Sequence, residues 1–247
     1  MADWKPDAWL RRYHPADDAT VTLVCFPHAG GSASYYFPVS AALAPGVRVL
    51  AVQYPGRQDR RGEASADSVE QLADAIAAAL RPELTGSTAF FGHSMGAVLA
   101  FEVARRLDRE PDTLFVSGRR APSRTRPESL HTATDEAVLA ELKRLDGTDS
   151  RVIEDAELLR MILPALRADY RVIETYRPDP DAQVGCPIVA LVGDDDPRST
   201  PEEAGAWARH TTGEFALHVF PGGHFYLAAQ QAAVLGVVSA HLPAHAT

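Results

Sequence analysis

Five residues, Gly92-His93-Ser94-Met95-Gly96, constrain the folding of this 247-residue chain more than any others. They read G-x-S-x-G, and their flanks say how the backbone must run. The apolar run Thr88-Ala89-Phe90-Phe91 precedes them and suits a buried strand. Residues 97–104 follow, good helix formers with apolar side chains at helical spacing. A strand that turns directly into a helix pushes the middle serine out at the strand tip. Glycines at 92 and 96 let the two backbones crowd around that turn. The helix N-terminus then aims unpaired N–H groups at whatever the Ser94 hydroxyl meets.

The rest of the chain repeats the alternation. Residues 21–26, 47–52, 88–91, 113–116, 188–192 and 216–220 read as strands, most of them near-continuous apolar runs of the kind that parallel strands need when both faces are covered. Helical patterns fall at 68–80, 96–107, 201–210 and 225–241, with Thr200-Pro201 as a cap followed by a first-turn proline. This predicts a doubly wound, mostly parallel sheet of the α/β-hydrolase type, in one domain spanning residues 1–247. Between the fourth and fifth of these strands, residues 118–187 far exceed the length of a crossover and carry their own apolar stripes. Val138, Leu139, Leu142 and Leu145 form one, behind Thr134-Asp135-Glu136; Leu158, Leu159, Ile162 and Leu163 form a second, ended by Pro164; Leu166, Tyr170, Ile173 and Tyr176 form a third. The expectation is a helical lid over the site.

A serine hydroxyl is a weak nucleophile and needs a base held by a third group. In α/β-hydrolases the partners follow in the order Ser, acid, His. The strand at 188–192 ends in Gly193-Asp194-Asp195-Asp196. Composition does not separate the three aspartates, and the G-x-x-D spacing favours Asp196, leaving Asp194 and Asp195 to cap and solvate the turn. The strand at 216–220 ends in Pro221-Gly222-Gly223-His224, which places His224 at the same sheet edge as Ser94. His210 and His218 fall within elements, and His241 and His245 at the C-terminal end. Ser94, Asp196 and His224 are therefore the expected catalytic residues. The oxyanion donors expected are the N–H groups of Met95 and, from the loop Pro27-His28-Ala29-Gly30-Gly31-Ser32, of Ala29. His28 and His93 are read as supports rather than acids or bases.

Composition excludes several functions. The formal net charge is −9 and no long basic run occurs, so nucleic acid and anionic membranes are poor partners. No stretch approaches the ~18 apolar residues of a membrane span. The segment Met1-Ala2-Asp3-Trp4-Lys5-Pro6 lacks the apolar core of a secretion signal, and two distant cysteines, Cys25 and Cys186, make no disulfide framework. A reducing, cytoplasmic setting follows. There is no H-E-x-x-H and no clustered Cys/His spacing, so no metal and no cofactor are expected.

Several segments together are more specific than the elbow. Phe26-Pro27-His28-Ala29-Gly30-Gly31-Ser32-Ala33-Ser34-Tyr35-Tyr36 is one; Gln53-Tyr54-Pro55-Gly56-Arg57 with Arg60 is another. Gly92-His93-Ser94-Met95-Gly96-Ala97, Ser117-Gly118-Arg119-Arg120-Ala121-Pro122 and Gly222-Gly223-His224-Phe225-Tyr226-Leu227 complete the set. The chain resembles, over nearly its whole length, the type II thioesterases of polyketide and nonribosomal peptide biosynthesis. The resemblance implies a discrete editing enzyme that releases aberrant or stalled acyl groups from the phosphopantetheine arm of acyl or peptidyl carrier proteins. Nothing in the sequence demands more than a monomer. Such carriers are acidic, and two arginine groups stand as docking candidates: Arg57, Arg60 and Arg61, and Arg119, Arg120, Arg124 and Arg126. A cytosolic carboxylesterase acting on small oxygen esters would carry the same triad, as would an acyl transferase; a non-catalytic binding protein of this fold usually has a broken one.

Overall fold

The computed structural model describes residue 4 and residues 8–145 and 155–243. Most of the N-terminal segment, residues 146–154 of the expected lid, and His245 lie outside the described residues. Among the described residues seven strands form one sheet: β1 (Leu10–Arg11), β2 (Val21–Phe26), β3 (Val47–Val52), β4 (Ser87–His93), β5 (Thr113–Ser117), β6 (Ile188–Gly193) and β7 (Phe215–Phe220). Their order is β1-β3-β2-β4-β5-β6-β7, parallel throughout except for β1, which pairs antiparallel with β3. This is the α/β-hydrolase arrangement expected from the sequence. The two-residue β1 escaped notice because so short a pairing has no periodicity to read.

The apolar runs divide by strand alternation. In β2, Val24 and Phe26 face one core with Leu50, Phe90 and Leu114; Val21, Leu23 and Cys25 face the other with Val49, Phe91 and Phe115. Helices α2 (Val69–Leu80) and α3 (Met95–Ala104) close the first face. On the second lie the buried Val234 and Val238 of the last helix, α8 (Gln231–His241), and Val39 and Leu43 of α1 (Phe37–Leu43) pack against the same core. Helix α3 is buried along its whole length, which is why every side chain on it but that of Glu102 is apolar. The Ser68 side chain caps α2 by accepting the Gln71 N–H at 3.2 Å.

Between β5 and β6 run α4 (Asp135–Leu145) and α5 (Ala156–Thr175). The sequence pattern broke at Pro164, yet α5 runs through it as one helix. Proline costs a helix one N–H donor and some crowding, and the apolar stripes on both sides hold this one in place. The helix expected at 201–210 is an α-turn, α6 (Pro201–Gly205), continued as a 3-10 segment to His210, and the one expected at 225–241 divides at Gln230 into α7 (Tyr226–Ala229) and α8. Among the described residues no helix is long and apolar enough to cross a membrane.

Candidate active site

The elbow forms as the spacing requires. Ser94 sits between β4 and α3 with φ +56° and ψ −116°, a conformation that costs a non-glycine residue roughly 1–3 kcal/mol. Its N–H donates to the Ser117 carbonyl at 2.8 Å, tying the turn to the neighbouring strand. A Cβ on Gly92 would lie 2.1 Å from the Gly96 oxygen, and one on Gly96 would lie 2.0 Å from the Phe26 oxygen. No side chain fits at either position.

Two further strand tips bring an acid and a base to the same edge. His224, after β7, has its Nδ1 at 2.9 and 3.0 Å from the two carboxylate oxygens of Asp196, after β6. Both residues are buried. Asp196 Oδ1 also accepts the Arg198 N–H at 2.8 Å. The three aspartates are now distinct: Asp194 accepts the Gly222 N–H at 2.9 Å and staples the two loops, while Asp195 is exposed. His224 and Ser94 line one cavity of about 500 Å³ together with Ala29 and Met95.

The early loop is held from below by groups the sequence patterns named without explaining. Tyr36 donates its hydroxyl to the Phe26 carbonyl and Tyr54 to the Pro27 carbonyl, both at 2.9 Å. Gln53 accepts the Ala33 N–H at 2.9 Å. Arg57 donates to the Gly31 carbonyl at 3.0 Å and forms a bidentate pair with Asp169 of α5 at 2.6 and 2.7 Å. Asp169 also accepts the Gly30 N–H at 2.7 Å. Burial works against the Arg57 charge, but Asp169 holds its pKa above the usual value. Arg57 is therefore no docking residue. Nor is Arg60, which is buried with its guanidinium 4.2 Å over the Trp9 ring and donates to the Gln53 carbonyl. Of that first group only Arg61 is exposed.

His93 and His28 stand beside His224. The His93 ring lies 4.9 Å from that of His224, and its Nδ1 is 2.9 Å from Ser117 Oγ, which in turn is 2.6 Å from the Tyr226 hydroxyl. Burial, then the proximity of His224, pushes the His93 pKa well below its ordinary value and that of His28 down to about 3. Both are held neutral, which fits supports rather than proton carriers. Ser117 and Tyr226 were quoted in the sequence motifs, but only their approach in space shows that they anchor His93.

The helices between β5 and β6 shape the cavity. Leu142 and Leu145 of α4 and Ile162 and Leu166 of α5 give it an apolar wall, and Arg119, Glu128, Glu174 and Arg198 a polar one. Arg198, which sequence reasoning missed, reaches Glu128 at 2.7 Å and Glu141 of α4 at 2.6 Å, so the acid loop is tied directly to α4. In the second arginine group, Arg120 is buried against Glu128, and Arg119 faces the cavity 3.8 Å from that carboxylate; burial, then Arg120, pulls the Arg119 pKa down to about 10. Only Arg124 and Arg126 lie on the surface, and Arg126 is paired with Glu203. Among the described residues no group of three or more His, Cys, Asp or Glu is placed to hold a metal ion.

Residues 21–242 match the family model for the thioesterase domain. The chain belongs to the thioesterase domain family. Its thioesterase relatives include the probable cadicidin biosynthesis thioesterase of Streptomyces griseus, 56% identical over 92% of this chain, of whose length the chain covers 63%. Thioesterase PikA5 of Streptomyces venezuelae is 52% identical over 95% of this chain and 85% of its own length. Among solved structures, the type II thioesterase BorB from the borrelidin biosynthetic cluster superposes with a TM-score of 0.90 at 51% identity, covering 98% of this chain and all of that one. The present thioesterase is thus an enzyme of the serine-hydrolase kind, as the elbow led one to expect.

Proposed function

We propose that this thioesterase is a discrete, type II enzyme of polyketide or nonribosomal peptide biosynthesis that hydrolyses acyl groups from the phosphopantetheine arm of carrier proteins. The observation that carries the reading is the cavity itself. Ser94 and His224 open into a space with an apolar wall, and His224 is braced by a carboxylate whose side chain is fully buried. The names of the relatives supply the pathway class.

In this reading the Ser94 hydroxyl oxygen attacks the thioester carbonyl carbon while His224 takes its proton. Asp196 holds His224 in the tautomer that leaves Nε2 free and stabilises the imidazolium. The Met95 and Ala29 N–H groups carry the negative oxygen of the tetrahedral intermediate, each worth roughly 3 kcal/mol. Collapse breaks the C–S bond, and His224 returns the proton to the departing sulfur, whose thiol pKa is near 8.5. Water then attacks the acyl-enzyme with His224 again as base, and the acyl group leaves as a carboxylic acid. Residues 118–187 act as the lid of a single α/β-hydrolase unit, excluding bulk water. The enzyme works as a cytoplasmic monomer, and no metal or cofactor enters any step.

The test is thiol release from acyl-loaded carrier proteins beside matched p-nitrophenyl esters, with wild type and Ser94→Ala. Preference for the carrier-bound thioesters, lost in the variant, supports the reading. Preference for the free esters replaces it with a carboxylesterase.

A further inference from the structure

A second cavity, of about 380 Å³, adjoins the first. Arg119, Glu128, Ile173 and Glu174 line both, so the two spaces meet at these side chains. The second is otherwise dominated by guanidinium groups, those of Arg120, Arg124, Arg126 and Arg177. On a chain of net charge −9 such a concentration of cations is not what the average surface would supply.

The charge around it is unbalanced. Its two carboxylates are already engaged. Glu128 is shared among Arg119, Arg120 and Arg198. Glu174 accepts the N–H groups of Leu130 and His131 at 3.0 Å and lies 2.6 Å from the His131 ring nitrogen. Arg120 and Arg126 have close carboxylate partners. The other three do not: Arg119 is 3.8 Å from Glu128, and Arg124 is 3.7 Å from a Glu202 that is 86% exposed. Among the described residues Arg177 donates only to the Glu174 and Tyr176 carbonyls, at 3.3 and 3.2 Å. Three guanidiniums with spare donors, one at the junction and two toward solvent, make a site for an anion with several oxygens.

From this we infer that the arginine-lined cavity is the entry for the substrate arm, taking its phosphodiester between Arg124 and Arg177, with the pantetheine chain passing Arg119 to bring the thioester to Ser94. The inference rests on the carrier-arm reading above. It assigns the apolar wall of Leu142, Leu145, Ile162 and Leu166 to the acyl group, and the polar junction to the amide-bearing arm.

The experiment compares one acyl group on pantetheine, on 4′-phosphopantetheine and on a carrier protein, with wild type and Arg124→Ala/Arg177→Ala. Both arginines are exposed, so thermal unfolding should match wild type. Wild type should favour the phosphorylated over the unphosphorylated small thioester in kcat/KM, and the double variant should shrink that ratio by about tenfold, mostly through KM. Added salt should erode the same ratio in wild type. A ratio near one in wild type, or a ratio untouched by the double substitution, overturns the phosphate site even if carrier-bound substrate is still hydrolysed best. Failure to hydrolyse any of the three thioesters would instead remove the carrier-arm reading, and this inference with it.

Discussion

A methyl group on Gly96 would need the space already held by the Phe26 carbonyl, 2.0 Å away. Gly96→Ala is therefore expected to cost more than about 4 kcal/mol and to leave little soluble protein, as measured by expression and thermal unfolding. The consequence at Asp196 is of another kind. Asp196→Asn keeps the volume, removes the charge that would stabilise an imidazolium, and permits the wrong tautomer of His224. In the proposed triad kcat should fall by up to ~10⁴-fold with little change in melting temperature. Asp194→Asn should loosen the hydrogen bond to Gly222 and cost at most about tenfold in kcat. A large loss at Asp194 or Asp195 with none at Asp196 would remove Asp196 from its assigned role.

The pairing of Arg57 with Asp169 joins two elements distant in sequence. It ties the loop after β3 to α5, and through the Gly30 N–H and Gly31 carbonyl it fixes the loop that bears Ala29. Removing one partner strands a buried charge. Asp169→Asn should thus lower unfolding free energy by about 3–5 kcal/mol in denaturant titrations. The double variant Arg57→Leu/Asp169→Leu leaves no stranded charge and should recover much of that loss. Its kcat should stay depressed, because the Gly30 N–H and Gly31 carbonyl have lost their partners. Recovery of full kcat along with stability would show that the pair is packing alone. Sequence reading took Arg57 for a surface cation because arginine is usually exposed. It could not see Asp169, more than a hundred positions away, arriving beneath the loop.

At the scale of the whole molecule, stability should respond to acid in two stages. Above pH 6.5 His28 and His93 are neutral both folded and unfolded. Below it the unfolded chain binds protons that the folded protein refuses, because burial, then the nearby His224, lowers both pKa values, that of His28 to about 3. Stability therefore falls as pH drops from 6.5 toward 3. Glu102, Glu128 and Glu141 add a second loss below about pH 4.5: burial raises their pKa, but hydrogen bonds and arginine neighbours outweigh it and lower them. Melting temperatures measured from pH 7.5 to 3.5 should decline already between 6.5 and 4.5, and His28→Gln should lessen that decline, with His93 supplying what remains. Strand runs, the elbow, the glycine-flanked loop and the His224 turn were legible in the sequence because each is a local constraint. Apolar alternation decides which faces are buried, and backbone crowding decides where only glycine fits. What joins Asp196 to His224, Arg57 to Asp169, Arg198 to α4 and His93 to Tyr226 has no local signature. Asp196–His224 and His93–Tyr226 depend on which strand tips the sheet order makes neighbours, and the other two on where α4 and α5 pack. Whether an arginine ends as a surface cation or a buried strut was likewise decided only when α5 packed across the strand ends and excluded water from one carboxylate and not another.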